Sequence, residues 1–203
     1  MRRLLSLTVG MFAVVAVLAN GTLAANAQTI TALHFDELAF QPVNGLHFNG
    51  ATFHFTINKT PSTDASYNSF GPGQQYFTQD PSLEGNAAGK LTVAFDSPTT
   101  FVQFGVSLSF PGPLAPGVVV TLKDSNGKVI STSQVNTRPV GPDFFTEGQF
   151  TYNGSFAAKK AVITFASGDA ARFVLDNLVY IVPTATTLSH SSATGGSRWA
   201  HAG

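Results

Sequence analysis

The sequence predicts an all-β protein built as one antiparallel β-sandwich of the jelly-roll kind. Three observations carry this. Beyond residue 27, no ten-residue segment repeats its apolar residues at the helical period of 3.6. Short runs alternating apolar and polar side chains recur instead, separated by turn signals, as sandwiches and barrels require. The apolar content also leans on 18 Phe, against two Met and one Trp. Aromatic rings favour strands because they pack well on a pleated, half-buried surface.

The 203 residues suit a single domain, expected over residues 28–183. Hydrophobic residues make up 43% and charged residues 11%, which leaves ample core and little charged surface. The 11 basic residues balance the 11 acidic ones, and loss of Arg2 and Arg3 with a leader would leave nine basic. Nucleic-acid binding needs clustered Lys and Arg, so this balance argues against a polyanion-binding surface and against nucleic acid as a partner. Cysteine is absent. Stability must therefore come from the core, an ion or a partner, with no disulfide framework.

Residues 1–27 read as a signal peptide. Met1-Arg2-Arg3 is a positive n-region, residues 4–18 form an apolar stretch too short for a comfortable span, and Ala25-Asn26-Ala27 offers small residues for cleavage before Gln28. The expected location is secreted, extracellular or periplasmic, with no stable membrane insertion after cleavage.

The expected strands follow in order. Residues 30–40 form a first strand or strand pair. Residues 45–49 and 51–58 form a hairpin about Asn49-Gly50, with Phe53, Phe55 and Ile57 on one face. Residues 59–89 hold three prolines and four glycines among polar residues, and read as an elaborated surface loop with one short strand near 75–78. Its aromatics distinguish it from a disordered linker. Residues 90–95 and 101–110 alternate cleanly. Residues 118–123 and 128–135 are joined by the turn Asp124-Ser125-Asn126-Gly127. Residues 136–142 read as a loop, 144–152 and 161–166 as two strands divided by Asn153-Gly154, and 172–182 as the closing strand. Residues 184–203, rich in Ser, Thr, Ala and Gly, read as a disordered tail.

Two short motifs frame this domain: Phe35-Asp36-Glu37-Leu38 near its start, and Phe173-Val174-Leu175-Asp176-Asn177-Leu178 just before Val182-Pro183. In these the chain resembles secreted bacterial ectodomains of the PEP-CTERM-associated type, which resemble galactose-binding-like jelly rolls used as carbohydrate-binding modules. The tail lacks the Pro-Glu-Pro motif and a membrane helix, so sorting and anchoring are not implied. The resemblance implies a structural calcium ion between the first and last strands, with Asp36 or Glu37 and Asp176 as the matching positions. Calcium takes six to eight oxygen ligands, and a carboxylate within an apolar strand is costly unless paired. The alternative is that these acids face solvent or accept backbone N–H groups.

His34, His47 and His54 lie in the first strands without metal-ligand spacing, and read as surface histidines. No nucleophile elbow, zincin motif or phosphate loop is present. Asp143 and Glu147 read as two surface acids at a loop–strand junction, so no enzymatic activity is expected. The binding candidates are Tyr67, Phe70, Gln75, Tyr76 and Phe77, whose rings and amides suit sugar recognition on a loop. The same rings could instead fold back to cap the core. The expected function is a secreted, non-enzymatic binding module for carbohydrate or extracellular polysaccharide. The alternative is a structural or adhesive protein of the cell-surface matrix.

Overall fold

The computed structural model describes residues 28–141 and 144–183; the expected signal peptide and tail lie outside the described residues. These residues form twelve antiparallel strands and the architecture is all-β. The strands are β1 (Gln28–Leu33), β2 (Gln41–Pro42), β3 (His47–Phe48), β4 (Ala51–Ile57), β5 (Thr60–Pro61) and β6 (Ala65–Ser69). They continue as β7 (Ser82–Asn86), β8 (Gly89–Leu108), β9 (Leu114–Lys123), β10 (Val129–Pro139), β11 (Thr146–Phe165) and β12 (Arg172–Pro183).

All twelve belong to one hydrogen-bonded network that folds over itself into a sandwich. The hinge is in β8 and β11, each 20 residues long, which run through both layers. The first half of β8 pairs with β4, from Gly89 opposite Ile57 to Phe95 opposite Ala51. Its second half pairs with β12, from Val102 opposite Tyr180 to Leu108 opposite Phe173. β11 runs antiparallel to β8 along both halves, with register shifts between Asn153 and Lys160. One layer therefore reads β3-β4-β8-β11-β9-β10, and the other β2-β6-β7-β12-β8-β11. Residues 96–100, with Pro98, and Asn153-Gly154, which fall between strands expected from the sequence, lie inside continuous strands where the chain bends between layers. Proline is tolerated at such irregularities.

Aromatic rings join the layers. Phe173 of β12 stacks on Phe165 of β11, with centroids 3.9 Å apart and planes at 9°. It also meets Phe55 of β4 at 5.8 Å. Phe95 and Tyr180 pack at 4.9 Å, and the Tyr180 hydroxyl donates to the carbonyl of Asn49. Burial pushes that hydroxyl up to about 12.

The terminal strands are neighbours, β1 pairing with β12 from Gln28 opposite Pro183 to Leu33 opposite Leu178. The first strand stops at Leu33, however, and does not reach residue 40. Phe35 adopts φ 61°, and its buried ring packs against Phe53 and Tyr67 at 5.9 and 5.1 Å. A bulky residue in the left-handed region costs on the order of 1–2 kcal/mol. Burying a phenyl ring contributes about 2 kcal/mol or more, which offsets it.

Other expectations are corrected similarly. The stretch 59–89 contains β5, β6 and β7, and residues 70–81 are its longest irregular segment. The short strand expected at 75–78 does not form; the chain bends at Tyr76 and Phe77, and Gln75 N–H donates to the carbonyl of Thr78 at 2.9 Å. Strand β10 continues to Pro139, into the expected loop, because Arg138 and Pro139 find partners in Glu147 and Thr146 of β11. Among the described residues no helix is long and apolar enough to cross a membrane.

Phe173→Ala removes the ring shared by both layers. It is expected to cost about 3–5 kcal/mol, read as a lower urea midpoint with the slope unchanged.

Candidate functional site

Residues 70–81 form a loop across the outer face of the second layer, over β12, β8 and β11, held from below by two buried carboxylates. Glu147, at the start of β11 and only 5% exposed, faces this loop. Its Oε1 accepts the N–H groups of Phe77 and Thr78 at 2.6 and 2.7 Å and the Thr78 hydroxyl at 3.1 Å. Its Oε2 accepts Tyr76 N–H at 3.1 Å. Glu147 is thus a structural anchor and not the surface acid its position suggested; Asp143 lies outside the described residues. Three successive N–H donors satisfy the charge that burial would otherwise penalise.

Asp176, 2% exposed, sits where β12 bulges between residues 176 and 179. Its Oδ2 accepts Gln79 N–H at 2.9 Å and its Oδ1 accepts Asn177 N–H at 2.6 Å. Asn177 has φ 53°, a conformation asparagine tolerates better than most residues. Its Nδ2 donates to the carbonyl of Phe77 at 3.0 Å, and its Oδ1 lies 2.8 Å from His34 Nδ1. Asp80 folds the loop on itself, accepting N–H groups of Gly71 and Gly73 at 2.9 and 3.0 Å. Gly105 lies directly beneath. A Cβ there would come within 1.9 Å of the Phe77 carbonyl oxygen, so only glycine lets the loop settle this closely.

On this platform the binding candidates separate. Tyr76 is 84% and Phe70 75% exposed, with Phe77 partly exposed beside them. Gln74, Gln75 and Tyr76 line a cleft of about 310 Å³ with Val140 and Gly141. Gln75 Nε2 donates to the carbonyl of Pro72 at 3.0 Å. Tyr67 does not belong to this surface. It is fully buried, packs against Phe35 and Phe48, and donates its hydroxyl to Glu37. Burial and that carboxylate push its phenol above the usual range. Strand β6 carries Ala65 and Tyr67 on its buried side, and this alternation turns Tyr67 inward. Phe144 was expected within a strand; it precedes β11 and is 76% exposed. Its adjacency to Phe145, outside any alternating pattern, was the available signal.

The acidic candidates also separate. Asp36 and Asp176 line a shared polar recess of about 160 Å³, together with His34, Gln79, Asp80, Pro81 and Asn177. Glu37 faces elsewhere, its Oε2 taking the Tyr67 hydroxyl and its Oε1 the N–H of His34 at 2.8 Å. Burial works against its charge, but these hydrogen bonds hold its carboxyl below the usual range. Asp36 makes no hydrogen bond among the described residues. For calcium the recess offers the right kind of donor, though the oxygens of Asp80 and Asp176 already accept backbone N–H groups. Among the described residues no group of three or more His, Cys, Asp or Glu is arranged as a metal-binding set.

Burial pushes the Asp176 carboxyl up to about 6; the Gln79 and Asn177 N–H groups and His34 oppose this, and the nearby Asp36 adds to it. A carboxyl raised in the fold stabilises it fully below the unfolded value and loses that contribution as pH rises through about 6.

Neither the family models nor the curated proteins contain a match to this chain. Among solved structures, it is similar to a family 29 carbohydrate-binding module at 14% identity, covering 77% of this chain and 90% of that one, with TM-score 0.40. A second family 29 module, from Piromyces equi, matches at 10% identity over 78% of this chain and 93% of its own, with TM-score 0.42. At this level of likeness no residue, ligand or activity is carried across.

Two outcomes test the platform. In calcium-free buffer, the melting temperature should rise as pH falls from 7.5 to 5, and Asp176→Asn should flatten that slope. Glu147→Ala strands three N–H donors and should cost about 3 kcal/mol or more. Hydrogen exchange at residues 76–78 should accelerate more than in β8.

Proposed function

We propose that this chain is a secreted, non-enzymatic carbohydrate-binding module that takes extracellular polysaccharide at the cleft beside Tyr76. The supporting observation is a large ring held in water on a backbone that Glu147 pins from below. A sugar ring presents C–H groups on its faces and hydroxyls at its rim. The first suit the face of Tyr76, and the second suit the amides of Gln74 and Gln75. A loop fixed before binding loses little conformational entropy on association. The two buried carboxylates already hold loop backbone, which favours a binding role over hydrolysis.

A calcium ion in the recess between Asp36 and Asp176 belongs to the same reading. A cation there would relieve the desolvation of Asp176 and its repulsion by Asp36. Cell-surface adhesion is the second reading, and the exposed rings of Phe40, Phe70 and Phe156 favour it.

On a glycan array the protein should bind neutral polysaccharide, with Tyr76→Ala reducing affinity about tenfold or more and leaving the melting temperature unchanged. Self-association without glycan binding would favour adhesion instead. Chelator should lower the melting temperature and added calcium restore it; an identical curve in chelator rules out the ion.

A further inference from the structure

The outer face of the first layer, remote in the fold from the Tyr76 loop, carries a second arrangement. The strand register places Val129, Lys123, Lys160, Ala94 and Thr52 in one row across β10, β9, β11, β8 and β4. The next row is Thr132, Thr121, Val162, Thr92 and His54. The neighbours of these residues along each strand, such as Leu122, Ala161 and Val93, are buried, so both rows face outward.

Lys123 and Lys160 are therefore direct cross-strand neighbours. Residues so paired have Cβ atoms about 5 Å apart, and like charges placed there destabilise the sheet. Among the described residues neither lysine forms an ion pair. The nearest carboxylates lie at the margins and are engaged. Asp96 Oδ2 meets His47 Nε2 at 2.9 Å, and Asp124 Oδ1 accepts the N–H groups of Asn126 and Lys128 at 2.9 Å. Lys90 extends the positive face from the adjoining strand, opposite Thr164. From Lys160 it stands one strand and four residues away, about 14 Å. Beside the lysine pair, Lys128, Val129, Ile130 and the exposed ring of Phe156 border a cleft of about 310 Å³ with Asp124.

We propose that this face binds an anionic polysaccharide, with an acid group of the polymer bridging the ammonium groups of Lys123 and Lys160 and a sugar ring lying against Phe156. The polysaccharide class rests on the proposed function, while the surface is separate from the Tyr76 cleft. Charge complementarity selects the partner: a bridging carboxylate or sulfate converts a repulsive pair into two charge-assisted hydrogen bonds. Hydroxyl-bearing Thr132, Thr121 and Thr92 in the next row extend the face as a platform for further sugars. A nucleic acid fits less well, because no arginine lies in these rows and the lysines are sparse beside the close phosphate spacing of a duplex.

The probe is polygalacturonate, compared with dextran and with duplex DNA by titration at low ionic strength. Polygalacturonate should bind and should weaken as salt screens the charges. The double variant Lys123→Gln, Lys160→Gln should lose about tenfold or more in affinity. Its melting temperature should equal or exceed that of the parent, since a like-charge pair is gone. Tyr76→Ala should leave polygalacturonate binding intact, so failure of the neutral-glycan site is read separately. Absence of polygalacturonate binding overturns the proposal, as does equal affinity of the double variant and the parent. Binding of DNA as tight as that of polygalacturonate overturns the choice of polysaccharide.

Discussion

A buried carboxylate must find donors or give up its charge, and in this protein Glu147 finds them in three successive backbone N–H groups of one loop. Its desolvation costs several kcal/mol, while hydrogen bonds to a charged acceptor contribute about 1.5–3 kcal/mol each. The balance holds only if the loop stays in place. Pairing of Glu147 with Ser107 across β11 and β8 sets the height at which the loop rests, and the Ser107 and Thr78 hydroxyls meet there at 2.7 Å. Gly105 clears the space for Phe77, and Asp176 takes the next donor, Gln79. The exposure of Tyr76 follows from these contacts.

The same constraint explains the closing strand. A regular β12 would point successive side chains to opposite faces and leave its amide donors in the ladder. The bulge after Asp176, with Asn177 in the left-handed region, turns both side chains toward the loop and His34. The acidic-amide interruption is thus a joint between the end of the first strand, the last strand and the loop of residues 70–81. The cost is a carboxyl whose proton affinity rises toward neutrality.

The formally neutral chain also segregates its charge. Lys90, Lys123 and Lys160 project from the outer face of one layer, while Asp36, Asp80, Asp176 and Glu147 gather about the loop of the other. A net charge of zero excluded a uniformly basic protein, but it is silent on clustering. Strand pairing decides clustering, because it brings residues 37 positions apart, Lys123 and Lys160, to directly opposite sites.

The all-β class and most strand centres were legible in the sequence, since alternation such as Phe53, Phe55 and Leu91, Val93, Phe95 depends only on the two-residue period of an extended chain. The Asn49-Gly50 and Asp124–Gly127 turns were legible for an equally local reason: they need positive φ at Asn49, Gly50 and Gly127. Local chemistry also brought the two terminal motifs to attention. It could not show that Phe35 leaves its strand to bury its ring, that Tyr67 is core while Tyr76 is surface, or that Glu147 is an anchor. Each of those outcomes depends on a partner far along the chain, Tyr67 for Glu37 and residues 76–78 for Glu147. Periodicity determines which side of a strand a residue occupies; only the packing of one layer on the other decides what that side meets.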